Sequence, residues 1–233
     1  MKFWKRLTPQ LCLLGIICFI AVFGYVKSEI IGVNADAYVN HTVIIDAGHG
    51  GFDGGASAND GTIEKDINLS ISKKLCELLR FSGYNVIMTR DTDTGTEDDE
   101  TQSIHKRKKS DLFNRLQIMK DNPDAVFVSI HLNKFTTSAA SGAQVFYTKN
   151  YNEAYTLAQS VQQSITSLIQ PENTRVVKQG TDSTYLLKNA ATPAIIVECG
   201  FLSNKQDLEK LKSDDYQSQM AFAICAGIKE FYK

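Results

Sequence analysis

Neither sign of charge dominates this chain. Its 25 Lys and Arg against 26 Asp and Glu leave a formal charge of −1, so no global field draws it to nucleic acid or to an anionic membrane surface. A basic stripe and an aromatic-rich RNA-reading pattern are both missing. There is no internal repeat and no low-complexity tract, and only four prolines. The five glycines at 48, 50, 51, 54 and 55 follow neither the Walker nor the dinucleotide-binding spacing. The short HExxH zinc motif is also absent, so any metal needs ligands that lie far apart in the chain. Cysteine is sparse. Cys12 and Cys18 sit near the N-terminus without a lipobox-like triplet before them, and Cys76, Cys199 and Cys225 show no metal-type spacing. Cys76 and Cys225 fall in helical patterns, where burial as small hydrophobes is expected.

What remains is a globular composition, 43% hydrophobic and 22% charged over 233 residues, enough for one domain with a sizeable core. The first residues differ in kind. Lys2, Lys5 and Arg6 precede an uncharged apolar run at 11–26, between the length of a signal-peptide core and a full span of roughly 17–25 residues. Basic residues before the run place the N-terminus inside and the remainder outside. Ala35-Asp36-Ala37 has the small-x-small form of a cleavage site. Residues 1–37 are therefore expected to be a signal peptide or membrane anchor with its linker, and 38–233 an exported globular domain.

Apolar runs alternate with helical periods through that domain. Strands are expected at 43–45, 86–88, 125–130, 143–148 and 194–197. One helix face is marked by Ile67, Ile71, Leu75, Leu78 and Leu79, stopped by Ser82-Gly83. A second carries Leu112, Leu116 and Met119 up to Asn122-Pro123; a third carries Ala154, Leu157, Ala158, Val161, Ile165 and Leu168. A final helix runs from Leu208 through Leu211, Met220, Ile224 and Ile228 to Phe231. The acidic block at 97–100 and the basic block at 106–109 read as solvated loop and helix-start charges. Continuous apolar strands separated by helices predict a single-domain α/β sandwich with a central, mostly parallel sheet.

Three polar segments follow three of those strands: Asp46-Ala-Gly-His49-Gly-Gly, Ser129-Ile-His131-Leu-Asn133 and Glu198-Cys-Gly-Phe-Leu-Ser-Asn204. If the strands are parallel, all three emerge at one edge of the sheet, where open α/β folds build their sites. A fourth, Gly61-Thr-Ile-Glu64-Lys-Asp66, lies between the first loop and the first helix, within reach of His49. Singly, each has an ordinary reading. His49 serves as a turn residue, Glu64 as a helix-start carboxylate favoured by the macrodipole, and Glu198 as a strand-end carboxylate paired with Arg90. Together, two histidines and a glutamate form a catalytic zinc set with one position left for water, whose pKa zinc lowers to roughly 7. Glu198 then supplies the base that takes the water's proton and later protonates the leaving amine.

The segments IIDAGHGGFDGGA, GTIEKDINL, MTRDTD, VSIHLN and IIVECGFLSN resemble, in order, the motif series of the zinc-dependent amidase-3 family of N-acetylmuramoyl-L-alanine amidases. The likeness runs from about Val43 to the C-terminal end. It implies zinc ligands at His49, Glu64 and His131, a catalytic Glu198, and cleft positions at Arg90 and Asn133. It also implies one zinc ion per chain and peptidoglycan as substrate, cut between the muramic-acid lactyl group and L-alanine. SIHKRKKSDLFNRL, the single-domain layout and the apolar leader are similar to the CwlD-type sporulation amidases. Those enzymes prepare muramic acid for δ-lactam formation in the spore cortex, which germination requires. A wall-binding module and the long insertion of some members are both missing, which implies targeting or activation by a separate envelope protein.

Two rival readings make distinct demands. A cysteine hydrolase would use Cys199 as nucleophile with a histidine as base. A non-catalytic peptidoglycan-binding protein would keep the fold and has no need of four intact site residues.

Overall fold

β-Branched residues dominate β1 (Thr42–Ala47), because branched side chains pack well on a pleated surface buried on both faces. The computed structural model describes residues 41–233 except 100, 182 and 183; the apolar run at 11–26 and Ala35-Asp36-Ala37 lie outside the described residues. Among the described residues no helix is long and apolar enough to cross a membrane.

After β1 come α1 (Glu64–Phe81), β2 (Asn85–Met88), α2 (Ile104–Asp121) and β3 (Val126–Asn133). Then follow β4 (Gln144–Tyr147), α3 (Asn152–Leu168), β5 (Lys178–Gln179), α4 (Tyr185–Lys188), β6 (Ala194–Phe201), α5 (Lys205–Lys212) and α6 (Asp214–Phe231). The six strands form one sheet in the order β2-β1-β3-β6-β4-β5. β2, β1, β3 and β6 are mutually parallel, and β4 runs antiparallel to β6 with β5 parallel beside it. The expected sandwich around a mostly parallel sheet is what forms.

Helices cover both faces. Ile44, Phe127 and Ile196 cluster with Leu116 and Met119 of α2 and Leu186 and Leu187 of α4. On the other face α1 packs on β1, β2 and β3, and both α1 and α3 pack on α6. Each fully buried Ile or Phe in these layers contributes about 1.5–3 kcal/mol. Gly227 makes a close helix contact. A Cβ there would stand 2.5 Å from Val161 Cα, so α3 and α6 meet backbone to backbone.

Register matters more to function than the core does. Phe127 lies opposite Ala194, Ser129 opposite Ile196 and His131 opposite Glu198. Side chains alternate faces along a strand, so one face of β3 reads Phe127, Ser129, His131, apolar at mid-sheet and polar at the carboxyl edge.

Two expectations need adjustment. The final helix breaks at Ser213, whose extended backbone (φ −77°, ψ 127°) caps both α5 and α6. Lys210 and Lys212 close the first helix and Asp214 and Asp215 open the second, each charge matched to its helix end. The acidic block is not wholly solvated either. Glu97 turns inward, with Oε1 accepting from Arg107 at 2.6 and 3.2 Å. The basic block at 106–109 lies in the first turns of α2, the helix start where it was expected.

Candidate active site

At the carboxyl edge β1 opens into the loop that carries His49. That residue adopts a left-handed backbone, φ 62°, a conformation that costs a non-glycine residue on the order of 1 kcal/mol or more and persists only when its surroundings impose it. Two guanidinium groups do so. Arg115 donates to Ala47 O (3.1 Å) and His49 O (2.8 Å). Arg90 donates to Ala47 O (2.8 Å), Gly48 O (3.0 Å), Lys65 O (2.9 Å) and Thr92 O (3.0 Å). Arg115 is itself fixed by ion pairs to Asp46 and Asp111, and Asp46 accepts from Ser129 Oγ (2.5 Å) and Thr89 Oγ1 (2.8 Å). Burial alone would raise the Asp46 carboxyl; Arg115 and the two hydroxyls outweigh it and hold it below the usual range.

Glu64, the first residue of α1, is where the segments converge. Its Oε1 accepts from Leu132 N–H (3.0 Å) and the Asn68 amide (3.3 Å), and its Oε2 from Ala56 N–H (2.8 Å). His131 Nδ1 lies 3.0 Å and His49 Nε2 3.4 Å from the same Oε1. Asp53 Oδ2 sits 2.9 Å from His49 Nδ1, which turns Nε2 toward Glu64. One ligand atom each from His49, Glu64 and His131 falls within 4.8 Å of the others. The loop glycines make this packing feasible. A Cβ at Gly48 would enter the His131 ring, and one at Gly55 would lie 2.6 Å from both Glu64 Oε2 and His49 Cδ2.

The electrostatics follow from burial and partners. Burial disfavours charge on His49, yet Asp53 and Glu64 outweigh it and raise the imidazole to about 9. Burial likewise pushes Glu64 upward, but the two imidazoles hold it well below the ordinary carboxylate range. Glu198 goes the other way: burial lifts it to about 7, with His131 opposing and Glu64 adding to the rise. Its Oε2 is buried without a hydrogen-bond partner among the described residues. A cavity of about 200 Å³, lined by Gly48, His49, Asp53, Lys108, His131 and Leu186, opens over the two imidazoles.

The structure therefore brings His49, Glu64 and His131 together and sets Glu198 opposite His131 in register. Arg90 stands apart from Glu198, its donors given to the loop carbonyls, so the paired-carboxylate reading of Glu198 does not describe this chain. Asn133 ends β3 half-buried, beyond the register shift after His131, where its carbonyl accepts from Leu202 N–H (2.8 Å). Cys199 is buried, and burial first, then Glu198 and Glu64, pushes its thiol far above the ordinary value, the opposite of an activated nucleophile. Sequence reasoning missed Asp53, Asp46 and Arg115. The available signals were the i,i+4 spacing of His49 with Asp53 and of Asp111 with Arg115, the latter pair on the inward side of α2.

Two imidazoles and a carboxylate converging at the carboxyl edge of a parallel sheet, beside a further buried glutamate, form the donor set of metal-assisted hydrolases. The chain belongs to the Amidase_3 family, N-acetylmuramoyl-L-alanine amidase, which matches residues 43–230. It is 32% identical over 235 residues to the germination-specific N-acetylmuramoyl-L-alanine amidase of Bacillus subtilis (strain 168), covering 98% of this chain and 96% of that one. Among solved structures it is similar to the CwlD amidase from Clostridioides difficile in complex with the GerS lipoprotein. That likeness has 41% identity and a TM-score of 0.79, over 82% of this chain and 98% of the other. The N-acetylmuramoyl-L-alanine amidase from Clostridium difficile 630 is 30% identical with a TM-score of 0.70, over 83% and 97%. The chain is thus an amidase of bacterial peptidoglycan.

Proposed function

We propose that this amidase is zinc-dependent, with His49, Glu64 and His131 holding one ion and Glu198 serving as its general acid–base. The observation that carries this is the convergence of the three donors within 4.8 Å, with Glu198 across the strand pair from His131. Three nitrogen and oxygen ligands that leave a coordination position open fit catalytic zinc. When bound there, zinc acidifies water and polarises a carbonyl. The chain's own residues supply the rest. Asp53 fixes the His49 tautomer and ring direction, as a carboxylate behind a ligating histidine does. Glu198, outside the donor set, takes the proton of the attacking water and returns one to the departing L-alanine nitrogen. Asn133 contributes a cleft contact, and Arg90 acts through the loop carbonyls it holds.

Glu198→Gln is expected to keep zinc and fold while turnover on a muropeptide falls by on the order of 10² or more. Cys199→Ser is expected to cost little. A Glu198→Gln chain that retains the wild-type rate would falsify the acid–base role. The reverse pair of outcomes would point to the cysteine hydrolase.

The particular role proposed is stem-peptide removal in the spore cortex, which the germination-specific relative supports. A separate envelope protein as activator or targeting partner is supported by the relative solved with a lipoprotein. The basic-then-apolar segment at 1–37 supports export, with catalysis confined to 38–233. A chain beginning at Tyr38 is expected to fold and cut muropeptides when loaded with zinc. Activity that returns only with the apolar run would make that run part of the enzyme.

A further inference from the structure

Glu198 has a neighbour on each side. Across β3 lies His131, and across β4 lies Gln144, directly opposite in the antiparallel pair. Residues opposite one another share a face, so the carboxylate stands between the donor set and the Gln144 amide. That amide is fixed at both ends. Its nitrogen donates to Val176 O (2.8 Å), and its oxygen accepts from Arg175 Nη1 (3.0 Å).

Arg175 is held as firmly. Its Nε donates to Ser141 O (2.7 Å), and its guanidinium lies 4.7 Å over the Phe201 ring, which is itself edge-on to Phe135. Every one of these partners is neutral. No carboxylate pairs with Arg175 among the described residues, and its Nη2 has no hydrogen-bond acceptor there. An arginine cannot shed its charge, and its planar fork suits a carboxylate. The group borders a cavity of about 530 Å³ shaped by Ser141, Gly142, Gln170, Asn173 and Lys210. Asp207 also faces that space, but its Oδ2 already accepts from Gly142 and Phe201 N–H, both at 2.9 Å. Glu172 sits exposed at the rim.

We propose that Arg175 is a substrate-binding residue that receives a stem-peptide carboxylate on the β4 side of Glu198, an inference that rests on the amidase reading above. The separation points past L-alanine. One strand spacing of about 4.8 Å and the Gln144 side chain lie between Glu198 and the guanidinium, more than the roughly 3.3–3.6 Å that a single extended residue spans. The group recognised is therefore the free carboxylate of the acidic residue that follows L-alanine. Phe135, exposed beside the buried Phe201 ring that the guanidinium covers, gives the intervening peptide an apolar contact.

The test uses the full chain loaded with zinc and two muropeptides that differ only in whether that second-residue carboxylate is free or amidated. Wild type is expected to favour the free acid in kcat/KM by on the order of ten- to a hundredfold, the range of a charge-assisted hydrogen bond. Arg175→Gln and Arg175→Lys are expected to raise KM for the free acid and shrink that preference, Gln abolishing it, with a smaller loss on the amidated substrate. A purely structural role would lower both substrates together and overturn the proposal, as would full preference in Arg175→Gln. Should the variants not fold, product inhibition of wild type decides. The released stem peptide should inhibit more strongly with its carboxylate free, and equal inhibition by the two forms overturns the subsite. A wild type that cuts both substrates equally overturns the subsite alone, whereas one that cuts neither overturns the amidase reading with it.

Discussion

Gly48 leaves no room for a side chain, because any Cβ there enters the His131 imidazole. Gly48→Ala is therefore expected to push one donor off its position, cutting zinc loading and turnover at least tenfold. Gly61, with nothing within 4 Å of a Cβ but a φ of +90°, is the control. Gly61→Ala should lose on the order of 1 kcal/mol from backbone strain and keep its zinc. Elemental analysis and thermal melts separate the two, and equal zinc in both variants would sink the cradle argument. At this scale the sequence was readable where chemistry is carried by unusual residues at strand ends. His49, His131 and Glu198 stood out through their placement after apolar runs, and Glu64 through its place between the first loop and the first helix. Arg115 did not, since an arginine amid the polar residues of α2 looks solvent-facing until Asp46 is known to lie beneath it. Nor did the roles of Gly48 and Gly55, which depend on what packs over them and not on any local pattern.

Helices α3 and α6 touch through Gly227, whose Cα sits against the Val161 backbone. Gly227→Ala improves helix propensity by roughly 1 kcal/mol, but it must also force the two helices apart. Overpacking of this kind costs about 1–3 kcal/mol, so the variant is expected to lose stability on balance by denaturant titration while zinc content stays intact. A stabilised variant would show that the interface yields more easily than its backbone contact implies. Long elements were legible because their hydrophobic periods repeat enough times to be counted, as with α1 and α3. β5 is only two residues long and α4 only four, too short for any period. The break at Ser213 was hidden because no Gly or Pro marks it between Leu208 and Met220. β4 was expected as a strand, but its antiparallel sense is set by its partner β6 and not by its own residues.

Buried charge makes the whole molecule acid-sensitive. Asp46 is held below its ordinary range by Arg115, Ser129 and Thr89 against the opposing effect of burial. A carboxyl depressed in the folded state adds stability above its unfolded value, about 4, and loses it as pH falls through the folded value. Stability is expected to decline below about pH 4. Asp46→Asn should flatten that decline and cost about 3–5 kcal/mol at neutral pH, since it leaves Arg115 short of a buried partner. Unchanged acid unfolding in the variant would remove Asp46 from the cause. The sheet order has a further consequence, for synthesis of the chain. β6 is the last strand made, yet it lies between β3 and β4. Until residues 194–201 emerge, β3 presents an unpaired inner edge rich in apolar residues, and β4 with β5 has no sheet to join. Such an edge invites pairing with other chains. A product ending before Ala194 would lack the middle of its sheet rather than a margin, so nascent chains should need shielding from one another until nearly all of the domain has been made.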